Sequence, residues 1–555
     1  MLETRDAEPA RRHSAVVLDV IAGQLQAIAE EMGIVMIKAA YSTNIEERRD
    51  CSAAILDARG DTVAQAEHIP LHLGSMLGIV PSIIEAYGPE GIAEGDVFVT
   101  NDPYEAGGTH LPDIALAMPV FDGGDPVAYC VTVAHHSEIG GGRGRAVDVF
   151  AEGLRIPPVK LFSGGELVDD VFRLIIGNCR VKEERRGDLR AQVAAVKLGA
   201  RRIGESCARY SGVLVRGAIV ESMTKAERQA RASLQTVPRG RFEFTDYMDS
   251  DGAGTNDIAI SVAVEITDDG ISFDFSGSDP QVRGPINVVW TALYACVYYT
   301  VRAVIDKDLP ANAGYYRIIS IHAPEGSIVN AVEPAPVLSR SDTCQRIVDV
   351  ILGALAGAMP DRVVAACNGA MTGVEFNGRT PERGPFAYME TIGGGFGARQ
   401  SSDGPDAVHA HMTNSSNLSV EALELQYPLR VTRYALRTGS GGAGEFRGGL
   451  GIVRELEVLC DEVFVRTKGD RTVRGPWGLG GGSDGQPGVF KLEADGGVRT
   501  IGSQENGLRL RAGDRIRVET AGGGGFGDPG RRSAEAVDRD VREEKYSASG
   551  TSGAA

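Results

Sequence analysis

The chain has 555 residues, more than one hydrophobic core usually supports, so several packed lobes are expected. Its formal net charge of −18 argues against partners with phosphate backbones or anionic lipid surfaces, because such partners need clustered Lys and Arg. Nucleic acid and membrane are therefore excluded as partners, and the acidity is interpreted as a solubility feature.

The eight cysteines include no Cys-x-x-Cys pair and no zinc-finger spacing, which is typical of a reduced, intracellular protein. Residues 1–13 are charged and carry no apolar signal core. No later stretch offers the roughly 18 uncharged apolar residues that a membrane span needs. The sequence thus predicts a cytoplasmic protein.

Apolar residues recur at three- and four-residue steps over 16–40 and predict one amphipathic helix. A second helical stretch, 74–87, carries Pro81, which is expected to kink or divide it. A third covers 191–235, and further helices are expected at 290–306 and 341–358. Short alternating runs predict strands at 96–100, 113–121, 126–134, 241–246, 257–265 and 271–276.

Glycine contributes 72 of the 555 residues, about 13%, against a usual share of about 7%. The segments 441–451, 474–488 and 521–527 are interpreted as glycine-punctuated β structure, followed by a short helix and a flexible tail. Because helices and strands are segregated rather than alternating, an α+β, multi-lobed architecture is preferred to a doubly wound parallel sheet.

One segment carries the chemistry. If 113–121 and 126–135 pair as an antiparallel hairpin about the turn 122–125, Asp113 falls almost opposite His135, with Cβ atoms about 5 Å apart. His110, three residues before Asp113, could fold over the same end. Two imidazoles and a carboxylate form an N/N/O set that suits a divalent Zn, Mn or Fe ion.

His-x-x-Asp alone is a weak signal, and it is the convergence of three ligand types on one hairpin end that favours a metal site. The polar segment 44–50 either supplies a fourth ligand or is a solvated helix terminus with surface ion pairs. His409 and His411 are a lesser candidate: their spacing places both on one face of a predicted strand, with only Asp403 and Asp406 as nearby carboxylates.

Two familiar sequence motifs lack the neighbouring secondary structure that their usual function needs. Residues 481–485 match Gly-x-Ser-x-Gly but lie in a glycine-rich loop, without the strand and helix that flank a nucleophile elbow. Residues 393–398 resemble a dinucleotide fingerprint without a βαβ unit. A Walker sequence is absent, so an ATP-driven reaction would need a second polypeptide.

Residues 100–113, the Ala134-His135-His136 triplet and 139–141 resemble the hydantoinase B family, which also forms the C-terminal half of 5-oxoprolinases. Further family landmarks follow in order, so the resemblance runs essentially end to end. They are 44–50, 152–158, 187–192, 274–277, 285–287, 440–444, 447–451 and 522–528.

The resemblance implies an enzyme subunit that works in a heteromer with a hydantoinase A-type subunit of actin-like ATP-binding fold. The partner would use ATP to phosphorylate the carbonyl oxygen of a lactam, hydantoin or related compound, and this chain would perform the metal-assisted hydrolysis. The family's metal ligands fall on His110, Asp113 and His135, with Asp50 as the remaining carboxylate and Glu47 in reserve.

The resemblance also implies three catalytic residues. His136 and Glu138 would orient the metal ligands or transfer a proton, and Glu47 is the third. The sequence departs from the family pattern at Glu138 and at 142–147. There, Arg143 and Arg145 either contact a phosphate or carboxylate group or are solvent-exposed loop arginines. The residues predicted to bind the substrate are Asn101, Asp102, Thr109 and Arg143.

The same resemblance leaves two other functions open: a subunit of an ATP-dependent ketone carboxylase of the acetone or acetophenone type, and a non-catalytic scaffold for the ATP-binding partner. Ring hydrolysis is preferred because it is the more frequent activity among such proteins, and not because of any single residue. The expected regions are a metal-binding catalytic region at 1–235, a central α+β region at 236–430, a glycine-rich β region at 431–527, and a short helix with a flexible tail at 528–555.

Overall fold

The computed structural model describes residues 15–66, 68–141, 147–381 and 384–546. The chain forms four β-sheets in addition to its helices. The α-helices are α1 Ala15–Ala39, α2 Thr43–Glu46, α3 His72–Leu77, α4 Ile79–Tyr87, α5 Asp169–Gly177, α6 Lys182–Tyr210, α7 Gly212–Leu234, α8 Trp290–Ile305, α9 Arg340–Leu355, α10 Val420–Gln426 and α11 Ala534–Arg542. Single 3₁₀ turns lie at Pro89–Gly91, Val149–Ala151, Tyr315–Ile318 and Pro529–Arg531.

The first sheet is built from seven antiparallel strands in the order β2-β1-β5-β4-β3-β6-β7. They are β1 Cys51–Asp57, β2 Thr62–Gln65, β3 Val97–Thr100, β4 Asp113–Asp122, β5 Asp125–His135, β6 Val159–Ser163 and β7 Glu166–Leu167. The second sheet has the order β11-β10-β9-β8, with only the β10–β11 pair parallel. Its strands are β8 Gly240–Ser250, β9 Asn256–Ile266, β10 Ile271–Asp274 and β11 Ile319–His322.

Two further antiparallel sheets have the orders β13-β12-β16-β19 and β14-β15-β20-β17-β18. Their strands are β12 Gly373–Thr380, β13 Gly384–Thr391, β14 Leu429–Leu436, β15 Ile452–Val458, β16 Val463–Lys468, β17 Val489–Ala494, β18 Gly497–Ile501, β19 Leu508–Leu510 and β20 Arg515–Glu519. The third sheet joins strands from both sides of the boundary expected at residue 430. The mixture of helices with several antiparallel sheets agrees with the predicted α+β class.

Each hydrophobic core lies between a β-sheet and the helices or second sheet that pack on it. One face of the first sheet packs on α1, α6 and α7, and its other face packs on α3 and α4. Strand β4 therefore buries Ile114 and Leu116 on one side and Ala115 and Ala117 on the other. The second sheet packs on α8 and α9, and the third and fourth sheets pack on each other.

The long helices form where the apolar periodicity predicted them, with different breaks. The stretch 74–87 divides at Gly78 rather than at Pro81, because Pro81 lies in the first turn of α4, where its missing N–H costs no helical bond. A Cβ on Gly78 would lie 2.5 Å from the Gly107 Cα, so close backbone contact fixes the break. The stretch 191–235 starts earlier, at Lys182, and divides at Ser211, whose φ is +76°.

The prediction of β structure through 441–451, 474–488 and 521–527 is wrong, since the strands flank these segments instead. The glycine segments lie side by side and exchange backbone hydrogen bonds in several directions, such as Gly442 N to Gly523 O at 2.9 Å and Gly525 N to Ser483 O at 2.9 Å. Without side chains, the backbones approach too closely for a pleated sheet: a Cβ on Gly523 would lie 2.1 Å from the Phe396 carbonyl oxygen.

Helix α1 is long and apolar enough to cross a membrane, although no such stretch was expected from the sequence. Its residues Ile21, Leu25, Met32 and Met36 are buried in the core that it shares with α6, α7 and the first sheet. These residues form one face of α1, whereas Val16, Val20 and Ile34 on its other side are exposed.

Candidate metal centre

Three neighbouring strand ends of the first sheet meet at one point. The hairpin of β4 and β5 forms as predicted, with Asp113 opposite His135 and Asp122 opposite Asp125. On the other side of β5, strand β1 begins with Cys51 opposite Ala134, so the preceding residue, Asp50, adjoins His135, whose N–H donates to the Asp50 carbonyl at 3.0 Å. The register thus brings Asp50, His135 and Asp113 into one row.

The three residues first predicted as ligands converge. His110 Nε2 lies 2.9 Å from Asp113 Oδ1, His135 Nδ1 lies 3.0 Å from the same oxygen, and the two ring nitrogens are 3.2 Å apart. His110 reaches this point through a tight turn in which the Asp113 N–H donates to the His110 carbonyl. All three side chains are buried, and one ion could contact all three atoms.

The hydrogen bonds of His110 fix the tautomer of its ring. Its Nδ1 lies 3.1 Å from the carbonyl oxygen of Leu338, which can only accept, so Nδ1 carries the proton and Nε2 presents a lone pair to Asp113. A lone pair that faces a carboxylate oxygen is repelled unless a cation lies between them. Two imidazole nitrogens and a carboxylate oxygen are ligands that a divalent Zn, Mn or Fe ion accepts.

Burial and charge set the protonation states. Burial, together with the charge of the nearby Arg340 guanidinium, lowers the pKa of His110 to about 3 against the opposing effect of Asp113. Burial alone would raise the pKa of Asp113, but His110 and Arg340 hold it well below its usual value. A neutral imidazole beside an ionised carboxylate is the state that binds a metal.

The sequence reasoning missed two residues of this centre, His72 and Arg340. His72, the first residue of α3, has its Nε2 3.5 Å from Asp50 Oδ1 and 3.8 Å from Asp113 Oδ1. Arg340, the first residue of α9, donates from Nη2 to Asp113 Oδ2 at 2.6 Å. His72 closes the segment Glu67-His-Ile-Pro-Leu-His72, whose two histidines and carboxylate are a local signal that could have indicated it, whereas Arg340 is remote in the chain and gave no local signal.

Of the two candidate fourth ligands, the structure brings only Asp50 to the centre. Asp50 is buried, lies beside His72 and lines the same cavity as the other candidate ligands. Glu47 is exposed at the C-terminal cap of α2 and does not line that cavity.

The two residues predicted for orientation or proton transfer lie in different surroundings. His136 is buried away from the cavity, and its Nε2 lies 2.9 Å from Gln192 Oε1 of α6. Glu138 lines the cavity, but both its oxygens are occupied: they accept from the Gly140 N–H at 2.7 Å and from the N–H and guanidinium of Arg180.

Three of the four residues predicted to bind substrate, Asn101, Asp102 and Thr109, are buried and bonded within the protein. Asn101 bonds the backbone of Leu111 and Ile156, and Asp102 accepts from Arg155, so both shape the loop before His110. Thr109 accepts a hydrogen bond from Arg340 and donates to Asp113. Arg143 and Arg145 lie outside the described residues.

The candidate centre opens into a cavity of about 220 Å³ between the first and third sheets. Its apolar side comes mainly from the third sheet and from loops, with Ile69, Leu71, Met371, Val374, Phe386, Met389 and Met412. Its polar side includes Asp50, His72, Arg180, Arg340, Arg466 and Lys468. An apolar wall facing a few convergent polar groups is typical of a small-molecule site.

The lesser histidine candidates lie elsewhere. No strand runs through His409 and His411, contrary to the prediction. His411 Nε2 lies 3.2 Å from Asp349 Oδ1, and Cys367 lies close enough to form a second potential ligand group with them. Because Asp349 also accepts from Arg471 at 2.9 Å, this group is already neutralised as a buried ion-pair network.

The hydantoinase B/oxoprolinase family model matches residues 14–529. The B component of a putative D-/L-hydantoinase from Pseudomonas sp. (strain NS671) is 32% identical over 94% of this chain and 91% of its own length. The beta component of the Pseudomonas jessenii caprolactamase is 34% identical over 96% of this chain and 94% of its own length. The crystal structure of ATP-dependent caprolactamase from Pseudomonas jessenii matches with a TM-score of 0.90 at 32% identity, covering 98% of this chain and 96% of that chain. A nucleotide-free acetone carboxylase structure, 18% identical with a TM-score of 0.88 over 97% of this chain and 79% of that chain, shares the fold.

Proposed function

The chain belongs to the hydantoinase B/oxoprolinase family, and from this premise we propose that it is the metal-dependent subunit of a two-component, ATP-dependent cyclic amidase. A hydantoinase A-type partner phosphorylates the carbonyl oxygen of a lactam, hydantoin or oxoproline-type ring. On this chain, water then adds to the activated carbon and the ring C–N bond breaks, which leaves an acyl phosphate and a protonated amine. A second water molecule hydrolyses the acyl phosphate and releases phosphate and the ring-opened amino acid. The names of the hydantoinase and caprolactamase relatives support this reaction class.

The observation that carries the proposal is the convergence of His110, Asp113 and His135 on one point at the end of a small-molecule cavity. A divalent ion held there would lower the pKa of water towards about 7 and supply hydroxide near neutral pH. Asp50 joins these three as the fourth ligand, because its backbone adjoins His135 in the row of strand ends and its carboxylate lines the same cavity, 3.5 Å from His72 Nε2.

The protein's own groups fix the geometry of the reacting centre. The Leu338 carbonyl holds the His110 ring in one tautomer, and Asn44 Nδ2 donates to the His135 carbonyl at 2.8 Å. Arg340 holds the second oxygen of Asp113, so that Oδ1 stays directed at the two imidazoles. Such supporting contacts typically change metal affinity or activity by about ten- to a hundredfold.

The cavity suits a ring with a hydrocarbon part and a polar carbonyl end. The methylenes of a cyclic amide pack on the apolar side near Val374 and Phe386, and the carbonyl end points towards the candidate centre. No strongly bound nucleotide is needed in this cavity, because the ATP site belongs to the partner. The assembled enzyme is a cytoplasmic hetero-oligomer, which agrees with eight unpaired cysteines.

Co-expression with the hydantoinase A-type partner tests the proposal. Cyclic amides are screened for substrate-stimulated ATP hydrolysis and for the ring-opened amino acid, with ketones plus bicarbonate as a second panel. We expect cyclic amides to stimulate turnover, His110→Ala to abolish ring opening, and His322→Ala, on the exposed edge of β11, to retain it. Turnover only with ketones and bicarbonate would indicate a carboxylase, and full turnover in His110→Ala would indicate a scaffold.

A further inference from the structure

Strand β16 directs two cations into the cavity. Its side chains alternate, so that Val463 and Val465 are buried in the core whereas Phe464, Arg466 and Lys468 line the cavity. The proposed ring hydrolysis has so far given no role to these two cations.

Both cations meet the start of helix α9, on either side of Arg340. Arg466 Nη2 lies 3.3 Å from Ser339 Oγ, and Lys468 Nζ lies 2.5 Å from Ser341 Oγ. The N-terminus of this 16-residue helix adds partial positive charge at the same place. We call Arg340, Arg466 and Lys468 the cationic wall.

The cationic wall is incompletely neutralised. Among the residues that the structure describes, no carboxylate comes within ion-pair distance of Arg466, and Lys468 has only Asp342, at 3.9 Å. One oxygen of Asp342 already accepts from the Met371 N–H. Glu375, the cross-strand neighbour of Arg466, accepts instead from Asn377 at 2.7 Å. This local positive charge, in a chain of net charge −18, favours binding of an anionic ligand in the cavity.

We propose that the cationic wall binds the phosphoryl group of an O-phosphorylated amide, an inference that rests on the proposed function. The wall begins beside the candidate centre, since Arg340 donates to Asp113 at 2.6 Å. In such a substrate the phosphorus is two bonds from the carbonyl carbon. A carbon held for attack at the centre would direct the phosphoryl oxygens towards the cationic wall, since Arg340, Arg466 and Lys468 line the same cavity.

The state of Lys468 agrees with this assignment. Burial lowers the pKa of Lys468, and the charges of Arg340 and Arg466 lower it further, against the opposing effect of Asp342. A phosphate anion beside this ammonium group would offset the repulsion and favour its charged form.

Calorimetric titration of inorganic phosphate into the full chain tests the site. Because a hydrogen bond between charged groups is lost in each variant, Arg466→Met and Lys468→Met should each weaken phosphate binding by about ten- to a hundredfold. Arg509→Met is the matched control: Arg509 lies on the adjacent strand β19, is exposed and pairs with Glu462, so binding should be unchanged. Metal content is measured for every variant, so that lost phosphate binding is not a consequence of lost metal.

Arg466→Lys, which keeps the charge, should bind phosphate to within a few-fold of the wild type and exclude a folding defect as the cause. Unchanged phosphate binding in both methionine variants overturns the proposal. If the assembled wild type opens no cyclic amide but phosphate binding still depends on Arg466 and Lys468, the proposed function fails and the anion site stands. If ring opening proceeds but phosphate binding depends on neither residue, the proposed anion site is wrong and the proposed function stands.

Discussion

At the scale of single residues, the position of each carboxylate around the candidate centre decides its expected role. Asp50 is buried in the row with His135 and Asp113, whereas Glu47 is exposed at a helix end. We therefore expect Asp50→Asn to lower kcat/KM by at least about tenfold. Glu47→Gln should stay within about twofold, as is usual for exposed charges. Steady-state kinetics of the two variants compare them directly, and the reverse order would remove Asp50 from the ligand set.

Glu152, which lines the cavity, should make stability depend on pH. Its Oε1 accepts from the N–H groups of Val337 and Leu338, and burial raises its pKa to about 8, against about 4.3 in an unfolded chain. The folded chain therefore binds more protons between these values, so stability falls as pH rises from about 5 to about 8.

Glu152→Gln removes that ionisation and should flatten this decline, with the largest gain near pH 8. Asp470, whose pKa is raised to about 7, contributes to the same window in both proteins, so the difference between them reports Glu152 alone. Thermal unfolding midpoints from pH 5 to 9 measure it, and parallel curves would show that Glu152 is already ionised in the folded chain.

At the scale of elements, Gly199 allows helix α6 to pack closely against α1 and β5. A Cβ on Gly199 would lie 2.4 Å from Met32 Sδ and 2.8 Å from Cys130 Sγ, whereas a Cβ on Gly204 of the same helix would meet nothing within 4 Å. Gly199→Ala should destabilise the chain by about 1–3 kcal/mol through overpacking. Gly204→Ala should stabilise it by up to about 1 kcal/mol. Denaturant unfolding of both variants gives the comparison, and equal effects would contradict this packing.

Elements held together by local chemistry could be predicted from the sequence, and those held by distant contacts could not. The 122–125 turn between alternating strands specified the hairpin and placed Asp113 opposite His135. Arg340 reaches Asp113 from 227 residues away, and His72 arrives on a separate helix, so tertiary packing alone brings them in. Glycine composition predicts backbone freedom but not which backbone segment lies alongside, so it cannot distinguish these packed glycine segments from strands.

At the scale of the whole molecule, glycine-to-glycine backbone packing joins segments that are far apart in sequence. Gly523 donates to the Gly449 carbonyl at 2.9 Å, and a Cβ there would lie 2.1 Å from the Phe396 carbonyl oxygen. Gly523→Ala should therefore prevent recovery of folded protein, because the new methyl group would clash with backbone atoms that cannot move aside. Gly497→Ala, where nothing lies within 4 Å, should be neutral. Soluble yield and circular dichroism measure both, and a folded Gly523→Ala chain would contradict the packing.

The proposed reaction depends on a divalent ion at His110, Asp113 and His135, whose ligand atoms lie close enough together to share one. The most direct test is elemental analysis of the purified chain, alone and with its partner. We predict about one Zn, Mn or Fe ion per wild-type chain, the same content in His322→Ala, and loss of the ion in His110→Ala. A wild-type chain that purifies without such an ion and gains no activity from added metal would contradict the account.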